Sequence, residues 1–254
     1  DKTPLDKDQC ARLRCYLAGP KKAVIDRDTD LLTPEEMNQH KDLVADAIRE
    51  ELSIWIEHKC FLRQPRRSAR NIIDVRWVGK WKYVKDKLDE SVKHRIIRMR
   101  MTLRGFKDRD ASSLETYAGT SSRMSQRIVV SEAVCRGWNL TAIDVKKAFL
   151  KGVSYEDLAS EKSAATGREQ ALREVNFDLP PQAVAILKQF PGYETFDPRT
   201  ETLKMTKPGT GCKDAPRAFA LQLAKATNEM FGAKPTMYDD QLIVRHKNGK
   251  LDFI

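Results

Sequence analysis

Apolar residues recur at helical spacing in the segment that follows residue 32. Thr33-Pro34-Glu35-Glu36 combines an N-cap threonine, a proline at the first helical position and a glutamate at N3. This combination predicts a helix start with a capping box. The apolar stripe that follows consists of Leu43, Val44, Ala47, Ile48, Leu52, Trp55 and Ile56. We therefore predict a helix that ends at about residue 57 and packs this stripe in a core.

Two segments with strand character come next and predict a basic β-hairpin. Residues 71–84 are rich in β-branched and aromatic residues, and the polar residues 85–91 join them to residues 92–104. In this second strand Met99, Met101 and Leu103 alternate with Arg98, Arg100 and Arg104. Because side chains of a strand alternate between the two faces of a sheet, one face can pack while the other presents guanidinium groups.

The second half of the chain predicts shorter elements. The pattern predicts a helix over 121–136 that ends at Gly137, and a short buried strand over 140–145. A further helix is predicted from Asp214, as its N-cap, to about Phe231. Two short strands joined by Lys247-Asn248-Gly249 predict a last hairpin.

Two segments have weak patterns. Residues 1–32 mix charges without a clear period, and we interpret them as a linker or weakly ordered arm. Residues 156–190 have little periodicity and are interpreted as an insertion or variable region.

The net charge of +10 is concentrated in one part of the 254 residues. Residues 59–109 carry 17 basic and 5 acidic groups, a net of +12, whereas residues 1–58 carry a net of −4. A concentrated positive field suits a polyanion, because phosphate contacts release counterions. A solvated basic face without a partner explains the charge equally well.

The composition argues against a Cys/His metal site, a disulfide framework and a membrane span. The five cysteines include no C-x-x-C pair and the four histidines are scattered, so neither a Cys/His metal site nor a disulfide framework is predicted. A reduced, intracellular chain is the simpler interpretation. The apolar runs are only a few residues long and mean hydropathy is −0.57, so we predict no membrane span.

Several motifs in this order resemble one family, the reverse transcriptase domain of Ty1/copia-type retrotransposon polyproteins. The matches are R-W-V at 76–78, R-M-R-M-T-L-R-G-F at 98–106, E-T-Y-A at 115–118, G-W-N-L at 137–140, D-V-K-K-A-F-L-K-G at 144–152 and G-C-K-D-A-P-R-A-F at 211–219. They resemble the family's K-A-R-L-V-A-[KR]-G-F, E-T-[FY]-[AS], D-V-[KN]-x-A-F-L-x-G and G-L-K-Q-A-P-R-x-[WF] stretches. Each motif alone is weak, whereas several in register are a strong signal.

The resemblance implies an α+β fold with reverse-transcriptase-like fingers and palm. An antiparallel palm sheet flanked by helices is expected, truncated before the Y-x-D-D hairpin. Residues 33–136 would form the N-terminal helix and fingers, and residues 137–254 a partial palm with the insertion around 156–190.

The resemblance also implies roles for individual residues. Asp144 would be the first metal-binding carboxylate, catalytic through two Mg²⁺ ions shared with the acids of the Y-x-D-D turn. The implied nucleotide-binding residues are Arg98, Arg100, Val145, Lys146, Lys147, Ala148 and Phe149, with Phe149 as a steric gate against a ribose hydroxyl. The implied template–primer contacts are Lys213, Pro216 and Arg217.

The residues themselves leave other roles open. Asp144 has the position of a helix N-cap as well as that of a metal ligand. Lys146 and Lys147 suit solvated helix positions as well as phosphate contacts. Trp77, Trp81 and Trp138 are interpreted as core aromatics, with base stacking as the alternative.

Three departures from the family pattern qualify these roles. The Y-x-D-D turn is expected a few residues beyond Ile254, so the chain is interpreted as a fragment. Tyr238-Asp239-Asp240 resembles that turn, but it follows Pro235 and precedes a predicted strand, and we interpret it as a loop. Asp214 replaces the family's glutamine, which adds a negative charge near the expected template.

The implied function is an RNA-directed DNA polymerase fragment that acts on an RNA or DNA template–primer and deoxynucleotides. The implied partners are the integrase and ribonuclease H regions of the same polyprotein, and no membrane partner is expected. A cytoplasmic particle and the nucleus both fit. The alternatives are a catalytically inactive nucleic-acid-binding remnant and a structural domain whose basic face is only solvated.

Overall fold

The computed structural model describes residues 31–85 and 93–253 of the chain. Predictions on the remaining residues lie outside the described part. They concern most of the N-terminal arm with Cys10 and Cys15, the turn of the basic hairpin, and Ile254.

The predicted N-terminal helix is confirmed, with a break near its start. Helix α1 spans Pro34–Gln39, and the capping box joins Thr33 Oγ1 to the Glu36 amide at 3.2 Å. Helix α2 spans Lys41–Glu57 after the chain turns at His40. The apolar stripe faces the core, where Leu52 and Trp55 are fully buried.

A five-stranded sheet packs against helix α2. Its strands are β1 (Phe61–Pro65), β2 (Ile72–Lys85), β3 (Lys93–Leu103), β4 (Asn176–Asp178) and β5 (Glu201–Met205). The spatial order is β1-β5-β4-β2-β3. Strands β2 and β4 run parallel and the other pairs antiparallel, so the α+β class is observed while the sheet is mixed. Residues 86–175 separate β2 from β4, and a connection of this length permits the parallel pairing.

The weakly patterned segment 156–190 supplies core elements of the fold. Helix α4 (Tyr155–Thr166), strand β4 and helix α5 (Pro181–Leu187) come from it or its border. Phe177 of β4 is fully buried and meets the Phe61 ring edge-on at 5.4 Å. A strand of three residues is too short to show alternation in the sequence, which explains the weak pattern.

Two further helices form where the sequence predicts them. Helix α3 (Arg123–Arg136) begins after Ser122, whose hydroxyl accepts from the Ser125 amide, and ends at Gly137. Helix α6 (Ala215–Phe231) ends at Gly232. Both glycines have the left-handed conformation typical of helix ends, with φ values of 64° and 62°.

The last hairpin is confirmed within a small second sheet. Strands β6 (Lys234–Pro235), β7 (Ile243–Lys247) and β8 (Lys250–Phe253) pair antiparallel in this order. Asn248 and Gly249 both have positive φ, as a tight hairpin turn requires. In the described part of the chain, no helix combines the length and apolar composition that crossing a bilayer demands.

The predicted buried strand over 140–145 is wrong. The segment is coil, and its apolar side chains are exposed, with Leu140 at 59% and Ile143 at 84%. A buried strand needs partners for its backbone groups, and neither sheet of the described residues pairs with this segment. The prediction is wrong because it rests on local apolar composition alone.

Candidate nucleic-acid interface

The outward face of the β2–β3 hairpin carries the predicted row of cations. Arg100 lies opposite Val78 and Arg98 opposite Lys80 in the antiparallel register. Arg98 and Arg100 are exposed, whereas the intervening methionines and leucine are buried. Those buried residues are Met99, Met101 and Leu103, with at most 3% exposed. The predicted division of the two faces is confirmed.

Ion pairing divides the cations of the hairpin and of the turn that follows it into two groups. Arg104 and Lys107 bind the Asp74 carboxylate at 3.0 and 2.9 Å. The hydrogen bond from Lys107 and the charge of Arg104 lower the pKa of Asp74. Among the described residues, no ion pair is formed by Arg76, Lys82, Arg98 or Arg100. We refer to these four residues as the open cation row.

Trp81 stiffens the same hairpin from its other face. Its indole nitrogen donates to Glu36 Oε1 at 3.1 Å, and the Arg95 guanidinium stacks over its ring at 4.2 Å. Trp77 and Trp81 are both partly buried against the core. These contacts support the interpretation of both tryptophans as core aromatics.

A buried glutamate connects the hairpin to the D-V-K-K-A-F motif. Glu51 is 3% exposed and accepts from Trp55 Nε1 at 3.1 Å and from the Met101 amide at 3.3 Å. Its second oxygen pairs with the Lys147 ammonium. Glu51 therefore connects this motif to the backbone of strand β3. Lys147 is therefore ion-paired with Glu51, and its nucleotide contact stays a prediction.

The other residues of that motif lie in a coil and a short 3₁₀ turn. Asp144 and Lys146 are exposed, and Val145 and Ala148 are half-buried. Phe149 is 40% exposed at the 3₁₀ turn that spans Ala148–Lys151. The N-cap alternative for Asp144 is not observed, since Lys147 precedes that turn.

The implied magnesium site requires more carboxylates than this motif offers. The described residues contain no group of three or more His, Cys, Asp or Glu placed to hold a metal ion. Two-metal sites hold their ions about 4 Å apart between several carboxylates. Asp144 alone does not meet this requirement, and its magnesium role stays a prediction.

The implied template–primer residues begin helix α6. Lys213 is exposed, and Pro216 is half-buried. Arg217 pairs with Glu115 and with Glu161, each at 3.0 Å. The two ion pairs of Arg217 therefore connect helix α6 with the E-T-Y-A motif and with helix α4.

Asp214 occupies the predicted N-cap position of helix α6, but its side chain forms no capping hydrogen bond. It is buried and pairs with Arg173, which also pairs with buried Asp108. Asn71 donates to Asp108 at 2.8 Å. A buried carboxylate is stabilised far more by a guanidinium than by helix amides alone. No sequence signal marked this cluster, because Arg173 lies in the weakly patterned segment.

A cavity of about 550 Å³ lies beside this cluster, between helix α4 and the E-T-Y-A motif. Arg173 stacks over the Tyr155 ring at 5.3 Å in its wall. Burial raises the pKa of the Tyr155 hydroxyl, so this group stays protonated near neutral pH. Arg217 lies in the same wall and is already paired.

Three of the motifs adjoin in space. The Leu103 amide donates to Thr210 O at 2.8 Å, and the Val153 amide donates to Ala218 O at 3.1 Å. Gly152 lies directly against Ala218. The R-G-F, D-V-K-K-A-F and G-C-K-D-A-P-R motifs are thus brought together around the end of β3.

The Tyr238-Asp239-Asp240 segment is a loop, as the sequence interpretation holds. Tyr238 is 92% exposed, and Asp239 accepts from the Ser122 amide at 2.9 Å and from the Ser125 hydroxyl. The hydrogen bond from Ser125 is the main reason that the pKa of Asp239 is lowered to about 2. Asp239 therefore holds the start of helix α3.

Comparison with known proteins finds a distant similarity over part of the chain. No protein-family profile and no solved structure matches the chain. The retrovirus-related Pol polyprotein from transposon RE1 of Arabidopsis thaliana is 26% identical over 167 residues, which cover 65% of this chain. The chain spans 9% of the length of that relative. The chain is therefore similar to a region of a transposon Pol polyprotein.

Proposed function

We propose that this chain is a nucleic-acid-binding region derived from a retrotransposon reverse transcriptase, and that its basic hairpin binds the phosphates of an RNA or template–primer strand. The observation that carries the proposal is the open cation row, Arg76, Lys82, Arg98 and Arg100. The similarity to a transposon Pol polyprotein and the order of the motifs support it.

The hairpin geometry suits a phosphate chain. Residues two apart on one strand are separated by about 7 Å, and neighbouring strands by about 5 Å. Arg98 and Arg100 are two apart on β3, and Lys82 lies on β2 near the same end. Planar guanidinium groups bind phosphate oxygens through two parallel hydrogen bonds. The buried methionines behind them keep the face in place without covering it.

Fluorescence anisotropy with a labelled RNA–DNA hybrid and a labelled single-stranded RNA tests the proposal. We expect Kd to rise steeply between about 50 and about 200 mM salt, because each phosphate contact releases counterions. The Arg98→Gln/Arg100→Gln double variant should reduce the slope of log K against log salt by about 2.

Arg49→Gln is the matched control. Arg49 is a surface arginine that already pairs with Asp46 and Gln189, so its removal should leave the slope unchanged. Equal slopes for the double variant and the control, or no binding at low salt, would show that the basic face is only solvated.

A second candidate function is the RNA-directed DNA polymerase activity itself. The observation that favours it is the contact of Glu51 with Lys147 and with the Met101 amide, which connects the motif that contains Asp144 to strand β3. In this proposal Arg98 and Arg100 bind the nucleotide triphosphate, and Lys213 and Arg217 lie near the template. Asp144 would supply one of the several carboxylates that the magnesium site requires. Integrase and ribonuclease H regions of the same polyprotein would be its partners.

A further inference from the structure

A cleft of about 660 Å³ lies between the end of helix α3 and the β7–β8 hairpin. Arg136 and Trp138 line it from the helix end, and Lys247, Asn248 and Lys250 line it from the hairpin. Arg136 and both lysines are exposed, so the cleft is open to solvent. None of these residues belongs to the open cation row.

Trp138 differs from the tryptophans of the basic hairpin. The core of the described residues packs Trp77 and Trp81 but not Trp138, which is half-buried in the cleft. The Arg136 guanidinium lies over its ring at 5.1 Å from the ring centre. The base-stacking alternative that the sequence leaves open therefore remains for Trp138.

Arg136 is held over this ring from the helix and from the hairpin. Its guanidinium pairs with Glu132 at 2.5 Å and donates to the Leu251 carbonyl at 3.4 Å. The ring and the guanidinium thus form a fixed platform. Nucleobases stack both on aromatic side chains and on guanidinium planes.

The hairpin adds positive charge to the cleft. Lys247 and Lys250 lie directly opposite each other across the Asn248-Gly249 turn, where like charges repel. Neither lysine forms an ion pair with a described residue. Asp252, which also lines the cleft, already pairs with Arg245 at 2.5 Å. A bound phosphate would relieve the repulsion between the lysines, so the cleft attracts an anion.

We propose that this cleft binds an unpaired nucleotide of a single-stranded RNA or DNA. The base stacks on the platform of Trp138 and Arg136, and Lys247 and Lys250 bind the adjoining phosphates. An acidic peptide would use the lysines but leave the platform without a stacking partner. The proposal rests on the proposed function, since it presupposes a nucleic-acid ligand, and it adds a second surface that binds unpaired bases.

A fluorescent oligodeoxyadenylate of about six nucleotides is the probe, and an abasic chain of the same length and charge is its control. Both are titrated into the unmodified chain and into the Arg98→Gln/Arg100→Gln variant, which weakens binding at the open cation row. We expect the abasic chain to bind that variant about tenfold more weakly, because it keeps the phosphates and loses the stacking. The NMR signal of the Trp138 indole should shift with the oligodeoxyadenylate, whereas that of fully buried Trp55 should not.

Variants of the cleft separate the ring from the charges. Trp138→Phe should keep most of the affinity, whereas Trp138→Leu should lose about fivefold or more. Lys247→Gln/Lys250→Gln should reduce the slope of log K against log salt by about 1.4, and it should fold because it removes a repulsive pair. Lys234→Gln is the matched control, because Lys234 is an exposed lysine of the same small sheet outside the cleft.

Three results would overturn the proposal. Equal binding of the two probes would show that charge alone attracts them. Equal affinities of Trp138→Phe and Trp138→Leu would show that no base stacks on the ring. Tighter binding of a glutamate–tyrosine peptide of the same net charge would assign the cleft to a protein partner. A failure of the open cation row to bind nucleic acid would leave these measurements unaffected, and a failure of the cleft would leave the salt dependence of the basic hairpin in place.

Discussion

The Asp239 carboxylate stabilises the start of helix α3 from a position 117 residues later in the chain than Ser122. It accepts from a backbone amide and a hydroxyl at that helix start, and both contacts favour its charged form. The same residue resembles a catalytic acid in the sequence. Its contacts give it a structural role instead.

These contacts predict the titration of Asp239. Its pKa is lowered from 3.8 to about 2, so the contribution to stability is present above pH 4 and is lost as the pH falls towards 2. NMR titration of the carboxyl group should give this low pKa. In Ser125→Ala the pKa should rise, because the largest cause of the shift is removed.

Asp240→Asn is the control for this titration. Asp240 is exposed and forms no hydrogen bond with the described residues. Its replacement should leave the acid part of the stability curve unchanged, whereas Asp239→Asn should flatten it. A normal pKa for Asp239 in the unmodified chain would refute the structural role.

Lys147 and Glu51 give a prediction about stability. Lys147→Met removes the cation and leaves Glu51 buried beside Trp55 and Met101. Breaking a buried ion pair in this way costs about 3 kcal/mol of unfolding free energy. Chemical denaturation measures the loss, and Lys146→Met, one residue earlier and exposed, should cost less than about 0.5 kcal/mol.

The double variant distinguishes a lost pair from lost packing. Adding Glu51→Gln to Lys147→Met removes the stranded charge and should recover part of the stability. If the double variant instead lost as much unfolding free energy as the two single variants together, the two side chains would not act as a pair.

At the scale of elements, the turn that follows β3 and the loop before α6 approach each other through two glycines. A Cβ atom at Gly105 would lie 2.3 Å from the Gly211 carbonyl oxygen, and Gly211 has a φ of 98°. Because both partners are backbone, neither can move aside cheaply. We expect Gly105→Ala to lower the unfolding free energy by about 3 kcal/mol.

Gly137→Ala provides the comparison for this substitution. Gly137 ends helix α3 with positive φ and has open space around its Cα, so only backbone strain of about 1 kcal/mol is expected. Similar losses for the two variants, measured by denaturant unfolding, would show that the close approach is not tightly packed.

Elements with strong local signals could be predicted from the sequence. The capping box at Thr33 marks the start of helix α1, and the Arg/Met alternation sets both faces of β3. The strand Asn176–Asp178 could not be predicted, because its position depends on pairing with β2 and β5. The wrong strand over 140–145 has the same cause, since only long-range pairing decides whether an apolar segment becomes a strand.

The candidate site, like the fold, could be predicted from the sequence only in part. The exposed row of Arg98 and Arg100 follows from a two-residue period. The pairing of Lys147 with Glu51, and of Asp214 with Arg173, joins residues 96 and 41 positions apart. No local pattern encodes such partners, so the sequence located the motifs but not which of their charges are already used.

At the scale of the whole molecule, the net charge overstates the number of cations that are free to bind a polyanion. Within the basic segment 59–109, Arg63 pairs with Glu201 at 2.7 Å and Arg66 with Asp178 at 2.6 Å. Arg104 and Lys107 share Asp74. The unpaired cations of this segment include the open cation row, whose four residues share one face of the hairpin. Such a row on one face favours a directed interface for a polyanion.

The carboxylates of the described residues also predict the activity of the chain. Polymerase chemistry needs two metal ions held by several carboxylates, and the described residues offer Asp144 without such a group. In primer extension on poly(rA)/oligo(dT) with Mg²⁺, we expect no more product than with Asp144→Asn. Both proteins should bind the template–primer with similar Kd, because binding rests on the hairpin cations. Extension that Asp144→Asn abolishes would instead establish Asp144 as a metal ligand and the chain as a polymerase.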